Sequence, residues 1–425
     1  MKIKEIILFC TISGFQGKSN INPKLASFYR DTSKYLRNIL VGASLFPALL
    51  LHQDGAIAAE FRNGAMADVG IGQYRVKDGR QILRISQPSG KSMSLGPKSV
   101  NDPGRVAQDA LELIRLRLEQ VGFSYSGVWQ QVGKDFSVAN NVINANKNKL
   151  LEGVSSDSDA SRLLNEKIIP NMQKLSDAIR AQDISLTSLY QEETGKLLST
   201  LRQLQYPPRI LPYRIPAEYD YLPRLLGRAV VQMDIESKSG YLLPNQKQRI
   251  PRISLLLEVD GYHAPLTSGN FIDLVDKKFY DNMLLKSEEL IVQTQSPDGV
   301  YKDSAAGGKV RRIPLEIFYK DDVEPTYGIT SDDDSRALDT QALPFQAFGA
   351  LGMARNNEDV DSGSSDFFFL KWNQALVAPG RNTLDGYYSC FGYVVQNEDL
   401  LKLVQSDDKI VSARVVSGLE NLVRP

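Results

Sequence analysis

The sequence predicts a multidomain chain in which an N-terminal all-α bundle of four amphipathic helices precedes a β-dominated domain. Three observations carry this expectation. Residues 101–206 repeat apolar side chains at a helical period, residues 207–226 are rich in proline, and beyond Gly227 the apolar residues gather in short β-branched runs. Composition is ordinary for a globular chain: 425 residues, 42% hydrophobic and 24% charged, with 50 basic side chains against 50 acidic ones. That balance excludes the basic excess by which nucleic-acid binding usually shows itself.

The first segment, 1–58, is expected to be a multipart targeting presequence. Lys2 and Lys4 precede a short apolar run over 6–12, and Lys18, Lys24, Arg30, Lys34 and Arg37 then stand against the single acid Asp31. A second apolar stretch, 39–51, ends near the small-x-small signal Ala56-Ile57-Ala58. It falls short of the roughly 20 apolar residues of a membrane helix, so an export signal removed near Ala59 is expected, the alternative being a buried helix at the start of a domain. Residues 59–100 are weakly patterned. Tyr74-Arg75-Val76 and Ile82-Leu83-Arg84-Ile85 around Asp78-Gly79 predict a small hairpin.

From Asn101 the helical period begins. Asp102 is placed to cap and Pro103 to open the first turn, Val106, Ala110, Leu113, Ile114 and Val121 share a face, and Gly122 is the expected stop. Further helices are predicted over about 133–151, 158–182 and 184–205; Pro170 should kink the third, and Leu189, Leu197, Leu201 and Leu204 should be the buried face of the fourth. Pro207, Pro208, Pro212, Pro216 and Pro223 make 207–226 a stiff linker. Strands are predicted over 229–235 and 253–259, then a helix from Pro265 through Phe271, Leu274, Val275 and Phe279, then further strands and long loops.

The rarest residues constrain chemistry most. The whole chain holds two histidines, His52 and His263, and two cysteines, Cys10 and Cys390. Once the presequence is removed one of each remains, which excludes an internal disulfide and makes Cys/His zinc sites and imidazole-dependent triads poor explanations. His263 is expected to be a surface or capping residue and Cys390 a core residue. Asp332-Asp333-Asp334, with Asp321 and Asp322, lacks the ligand spacing of a calcium loop and is expected to be a solvated acidic insertion.

Five ordered segments in the second half resemble cyclophilins: 264–275 with Phe279-Tyr280-Asp281, Val292-Gln293-Thr294, Gly349-Ala350-Leu351-Gly352-Met353-Ala354, Ser362-Gly363-Ser364-Ser365-Asp366-Phe367-Phe368-Phe369, and Leu384-Asp385-Gly386 with Cys390-Phe391-Gly392-Tyr393-Val394. The resemblance implies that 227–425 forms a cyclophilin-like closed eight-stranded β-barrel capped by helices. With the presequence, the helical half, Tyr213-Arg214-Ile215-Pro216-Ala217-Glu218-Tyr219, Arg312-Ile313-Pro314-Leu315-Glu316-Ile317 and Val415-Val416-Ser417-Gly418-Leu419-Glu420-Asn421-Leu422, the whole is similar to the multidomain cyclophilins of the thylakoid lumen. Those proteins are implicated in photosystem II assembly, so the implied partners are proline-containing segments of lumenal photosystem II proteins, with no nucleic acid and at most peripheral membrane contact.

Proline isomerisation faces an amide-resonance barrier of about 18–20 kcal/mol. The family lowers it with an arginine that donates to the prolyl nitrogen, a glutamine that fixes the backbone and an apolar pocket for the ring; no metal or cofactor is implied. By the resemblance, Gln293 is the glutamine, Phe368 the pocket floor, and Ile291, Ala354 and Leu384 its walls; Leu290 and Tyr388 take the positions of an aromatic residue and of the late histidine. Counting back from Gln293 puts the arginine position on Leu285, with Lys286 adjacent, while Glu288 and Glu289 stand where the family has proline and glycine and Thr383 where many members have tryptophan. Lys286 and Arg355 are the candidate substitutes. Two expectations follow: a weakly active or inactive proline-binding assembly factor, or an active isomerase using Lys286 or Arg355; a vestigial pocket on a purely structural partner is the third.

Divided at these boundaries, 1–58 holds 7 basic and 3 acidic groups, 59–226 holds 22 and 18, and 227–425 holds 21 and 29. A mildly basic helical part joined to an acidic barrel permits direct contact between the two.

Overall fold

The computed structural model describes residues 78–87, 102–119, 127–205 except 153 and 155–158, and 209–425 except 244–247, 297–298, 304–306, 321 and 372–381. All of these lie in one compact unit, Gly70–Pro425. The expected presequence, Tyr74-Arg75-Val76, Val121, Gly122, Pro207 and Pro208 fall outside the described residues. Among the described residues no helix is long and apolar enough to cross a membrane.

Where a hairpin was expected there is a helix, α1 (Gly79–Ile85). Asp78 explains the difference: its carboxylate accepts from the Arg80 amide at 2.8 Å and caps the first turn instead of turning a hairpin. Burial alone would raise the Asp78 carboxyl, but the guanidinium groups of Arg80 and Arg115 outweigh it and hold it at about 2. α2 (Pro103–Leu118) starts as expected, with Asp102 accepting from the amides of Gly104 and Arg105. Its buried stripe is Ala107, Ala110, Leu111 and Ile114, while Val106 and Leu113 sit at the margin, so the apolar face is rotated from the expected one. α3 (Val128–Ala145) starts a turn earlier than predicted, and the short α4 (Lys147–Leu150) follows it.

The third predicted helix is α5 (Asp159–Arg162), a π-helical turn (Leu163–Ile168) and α6 (Ile169–Arg180). The irregularity lies immediately before Pro170, whose ring cannot pack against an unbroken α-helical turn. α7 (Ile184–Leu204) is capped by Asp183. Leu198 and Leu201 fill the core, whereas Leu189 and Leu204, expected inside, are 56% and 43% exposed.

An ionic cluster borders the apolar core of this half. Arg84 donates to Glu112 at 2.5 and 3.0 Å and to Glu192 at 2.8 Å, and Arg115 donates to Glu192 and to Asp78 at 2.6 Å each. α1 is therefore bound to α2 and α7 by charge-assisted hydrogen bonds as well as by apolar contact.

The second half closes into an eight-stranded antiparallel barrel of order β10-β11-β5-β4-β13-β2-β3-β12, as the resemblance implied. β2 (Arg228–Tyr241) and β3 (Ile250–Asp260) alternate, sending Ala229, Val231, Met233 and Ile235 inward opposite Ile253, Leu255, Leu257 and Val259. The other barrel strands are β4 (Met283–Ser287), β5 (Ile291–Gln295), β10 (Ala350–Met353), β11 (Phe367–Leu370), β12 (Cys390–Gln396) and β13 (Lys409–Ser417). α8 (Pro265–Asp276) is buried along nearly its whole length, and Phe271 packs its ring on Tyr280, Phe367 and Phe391. Small hairpins β6 (Tyr301–Asp303) with β7 (Lys309–Arg311), and β8 (Glu316–Ile317) with β9 (Thr326–Tyr327), lie between β5 and β10. The proline-rich connection ends in β1 (Arg224–Leu225), which pairs with β14 (Leu422–Val423) at the end of the chain.

α1 rests on the barrel. A Cβ at Gly79 would lie 2.4 Å from Cβ of Tyr393 on β12, an approach only glycine permits. Arg228 donates to the Leu83 carbonyl at 2.7 Å while also pairing with Asp260 at 2.8 Å, and the Ser86 hydroxyl donates to the Ala342 carbonyl at 2.6 Å. Arg84→Ala would leave Glu112 buried without its cation. A loss of about 3–5 kcal/mol of unfolding free energy is expected by denaturant titration, with Arg84→Lys intermediate because an ammonium cannot reproduce the forked contact.

Candidate active site

The outer face of four neighbouring barrel strands carries the site. Register pairs Lys286 with Gln293, Gln293 with Phe368, and Phe368 with Gly352. Residues directly opposite in an antiparallel ladder share a face, so these four form one row. The period of two adds Ile291 and Ala354 to that face and sends Val292, Met353, Phe367 and Phe369 into the barrel core. Leu285 is wholly buried in that core, and the residue beside Gln293 on the outside is Lys286. Counting back along the chain puts the arginine position on Leu285; the register of the hairpin, whose last pair is Ser287 with Val292, sets Lys286 rather than Leu285 opposite Gln293.

Lys286 is 52% exposed, and its ammonium pairs with Glu288 at 2.8 Å. Gln293 and Leu290 are half-buried. Arg355 lies on the rim, where Nε donates to the Tyr387 carbonyl and Nη1 to the Asn356 carbonyl, both at 2.8 Å, and the guanidinium stands 5.0 Å from the Tyr388 ring centre.

The polar turn before Phe367 is held from below. Asn270 donates to the Ser364 carbonyl at 2.5 Å and the Tyr280 hydroxyl to the Ser365 carbonyl at 2.8 Å; Asp366 accepts from the Ser296 amide at 3.0 Å. These contacts fix where β11 begins and hence which phenylalanine faces out. Phe368 is enclosed: its ring stacks on Phe345 (5.8 Å, 16°), meets Tyr388 edge-on (5.6 Å, 89°) and lies over Gly352, where a Cβ would come within 2.2 Å of the ring. Leu384 and Tyr388, which close this side, are both buried.

Beside Tyr388 the structure forms a small cleft of mixed polar and apolar lining that includes His263, Glu316, Phe318, Phe345, Asp385 and Cys390. His263 is buried there, contrary to the expected surface position. Its Nδ1 lies 3.2 Å from Asp260, and its ring meets Phe318 edge-on. Cys390 is buried as expected, and burial pushes its thiol up to about 12. Glu316 accepts from the Leu266 and Thr267 amides at 3.2 and 2.9 Å and from the Thr267 hydroxyl at 2.8 Å. Burial nevertheless raises its carboxyl to about 7. In the acidic insertion, Asp322 pairs with Arg336 at 2.6 Å, and no metal-holding cluster occurs among the described residues.

Comparison with known proteins agrees with the barrel fold. Residues 252–418 match the model of cyclophilin-type peptidyl-prolyl cis-trans isomerases. A Synechocystis protein described as a thylakoid-lumen peptidyl-prolyl cis-trans isomerase is 34% identical over 80% of this chain and 89% of its own length. This chain belongs to the multidomain cyclophilins of the thylakoid lumen. The chloroplast peptidyl-prolyl cis-trans isomerase CYP38 of Arabidopsis thaliana is 32% identical over 82% of this cyclophilin and 76% of its own length, and CYP37 of the same plant 28% over 99% and 86%.

Sequence reasoning did not single out Phe345, Gly352 or Glu316. Gly352 carried a legible signal, since a glycine inside a strand marks a close approach. Phe345 and Glu316 lie in loops and short strands whose placement is purely tertiary.

Two expectations follow for this cyclophilin. Gly352→Ala should drive the Phe368 ring from its seat, costing about 1–3 kcal/mol of stability and shifting the aromatic side-chain NMR signals of Phe368 and Tyr388. Glu316 has a folded-state pKa above its unfolded value, so the folded state binds the extra proton between about pH 4.5 and 7. Stability from this group is therefore present at the acid end and lost as pH rises through that window, and Glu316→Gln should flatten that part of the stability-versus-pH curve.

Proposed function

We propose that this cyclophilin is a proline-binding assembly factor with weak isomerase activity, acting on lumenal segments of photosystem II proteins. The observation that supports the weak activity is the row beside Gln293. Leu285 is turned into the core, and the cation in the row is a lysine already paired with Glu288 at 2.8 Å. An ammonium on a flexible stem does not reproduce a planar guanidinium fork, and loss of one preorganised transition-state donor costs about 10²–10³ in rate. The apolar side of the site is retained in Phe368, Ile291, Ala354 and Leu384, which supports proline recognition. Photosystem II as the client rests on the likeness to the lumenal family.

Residual activity as a true isomerase is the second reading, favoured by the register that brings Lys286 next to Gln293. Arg355 is less suited, because Nε and Nη1 already donate to backbone carbonyls.

A proline-isomerisation assay on a standard Ala-Pro peptide should give kcat/KM about 10²–10³ below that of a cyclophilin with the arginine. Lys286→Ala should lower what remains, and Lys286→Arg combined with Glu288→Gln should raise it. Ordinary cyclophilin rates that vanish in Gln293→Ala would overturn the weak-activity reading. A photoreactive residue at the exposed Thr383, used in intact thylakoids, should capture photosystem II subunits, and their absence among the products would remove the proposed client.

A further inference from the structure

We propose that Phe345 is a positioning residue for the proline site, and that 342–345 is the route by which α1 of the helical half sets the seat of Phe368. This rests on the reading of Phe368 as the pocket floor. Four backbone groups of the segment are held by side chains from elsewhere in the chain, and the Ala342 amide also donates to the Phe318 carbonyl at 2.8 Å. The Ala342 carbonyl accepts from the Ser86 hydroxyl at 2.6 Å, and the Pro344 carbonyl accepts from the Tyr393 hydroxyl at 2.8 Å. The Phe345 amide donates to the Asp385 carboxylate at 2.7 Å, and the Asn382 side-chain amide donates to the Phe345 carbonyl at 2.7 Å.

These contacts join three structures that the chain keeps far apart. Ser86 ends α1, Asn382 and Asp385 belong to the loop that brings Leu384 and Tyr388 to the site, and the Phe345 ring stacks directly on Phe368. α1 reaches the segment twice: through Ser86 at its C-terminal end, and through Gly79, which sits against the Tyr393 side chain that holds Pro344. Proline at 344 removes a backbone torsion from the middle of the segment, so a displacement at Ala342 is passed on to Phe345. Phe345 and Phe368 are both buried and stacked ring on ring, so a shift of one is passed to the other. The helical half thereby fixes the floor of a site with which it need share no substrate contact.

The test measures the affinity of the full chain for a fluorescently labelled Ala-Pro tetrapeptide, well below each variant's melting midpoint. Ser86→Ala and Phe345→Leu should each weaken binding about two- to tenfold, and the double variant should bind no worse than Phe345→Leu alone. Arg117→Ala, which removes a contact to Asp135 elsewhere in the bundle, should lower the midpoint and leave affinity unchanged. Unchanged affinity in folded Phe345→Leu, or strictly additive losses, would overturn the proposal. If Phe345→Leu does not fold, Ser86→Ala and Tyr393→Phe decide it, and unchanged binding in both overturns it. Phe368→Ala separates the two levels: normal peptide binding in that variant removes the pocket reading and this inference together, whereas lost binding there with none lost on changing Phe345 removes the inference alone.

Discussion

The antiparallel register of β4, β5, β11 and β10 is the constraint on which the rest of the site depends. A strand offers alternate residues to opposite faces, so one pairing decides at once that Lys286, Gln293, Phe368 and Gly352 stand outside and that Leu285, Val292, Phe367 and Met353 are core. A slip of one residue would exchange the two sets and bury a lysine. The register is in turn held by the polar turn over 362–366 and by α8 beneath it, which explains why so many buried polar side chains cluster around Ser364, Ser365 and Asp366.

A second layer joins the two halves. α1 is short and would not persist alone in water, since isolated helices of fewer than about 12–15 residues are marginal. It persists because Asp78 caps it, because Arg84 ties it to α2 and α7, and because the barrel supplies Tyr393, Arg228 and Ala342 as partners. The contact between a basic helical half and an acidic barrel, permitted by their net charges, is realised mainly by backbone carbonyls and packing. Arg228 is the clearest link, reaching Asp260 within the barrel and Leu83 on α1 together.

Much of this architecture was legible in the residues. Asp102 with Pro103, and Pro265, announced helix starts that the structure reproduces, and the β-branched runs over 229–235 and 253–259 announced the strands β2 and β3. Three features misled. Asp78-Gly79 has turn chemistry in both a hairpin and an N-cap, and the choice was made by residues far off in sequence, Glu112 and Glu192 holding Arg84 and Tyr393 packing on Gly79. Leu189 has the right period but lies beyond the reach of the bundle's core. His263 looked like a residue at a helix start and became interior because the β8 and β9 insertion covers it with Phe318.

The sequence by itself determined the helical half, the barrel family, the apolar residues proposed for the proline site and the absence of an arginine beside Gln293, because each is written in local spacing or in residue identity. Only the tertiary structure decided that Lys286 rather than Leu285 stands beside Gln293 on the outer face, that Phe345 backs Phe368, and that α1 is latched to the barrel. The last two join residues tens to hundreds of positions apart, and the first depends on the register that β4 and β5 adopt within the closed barrel. Such choices are set by closure and packing of the whole barrel, which no window of the chain contains.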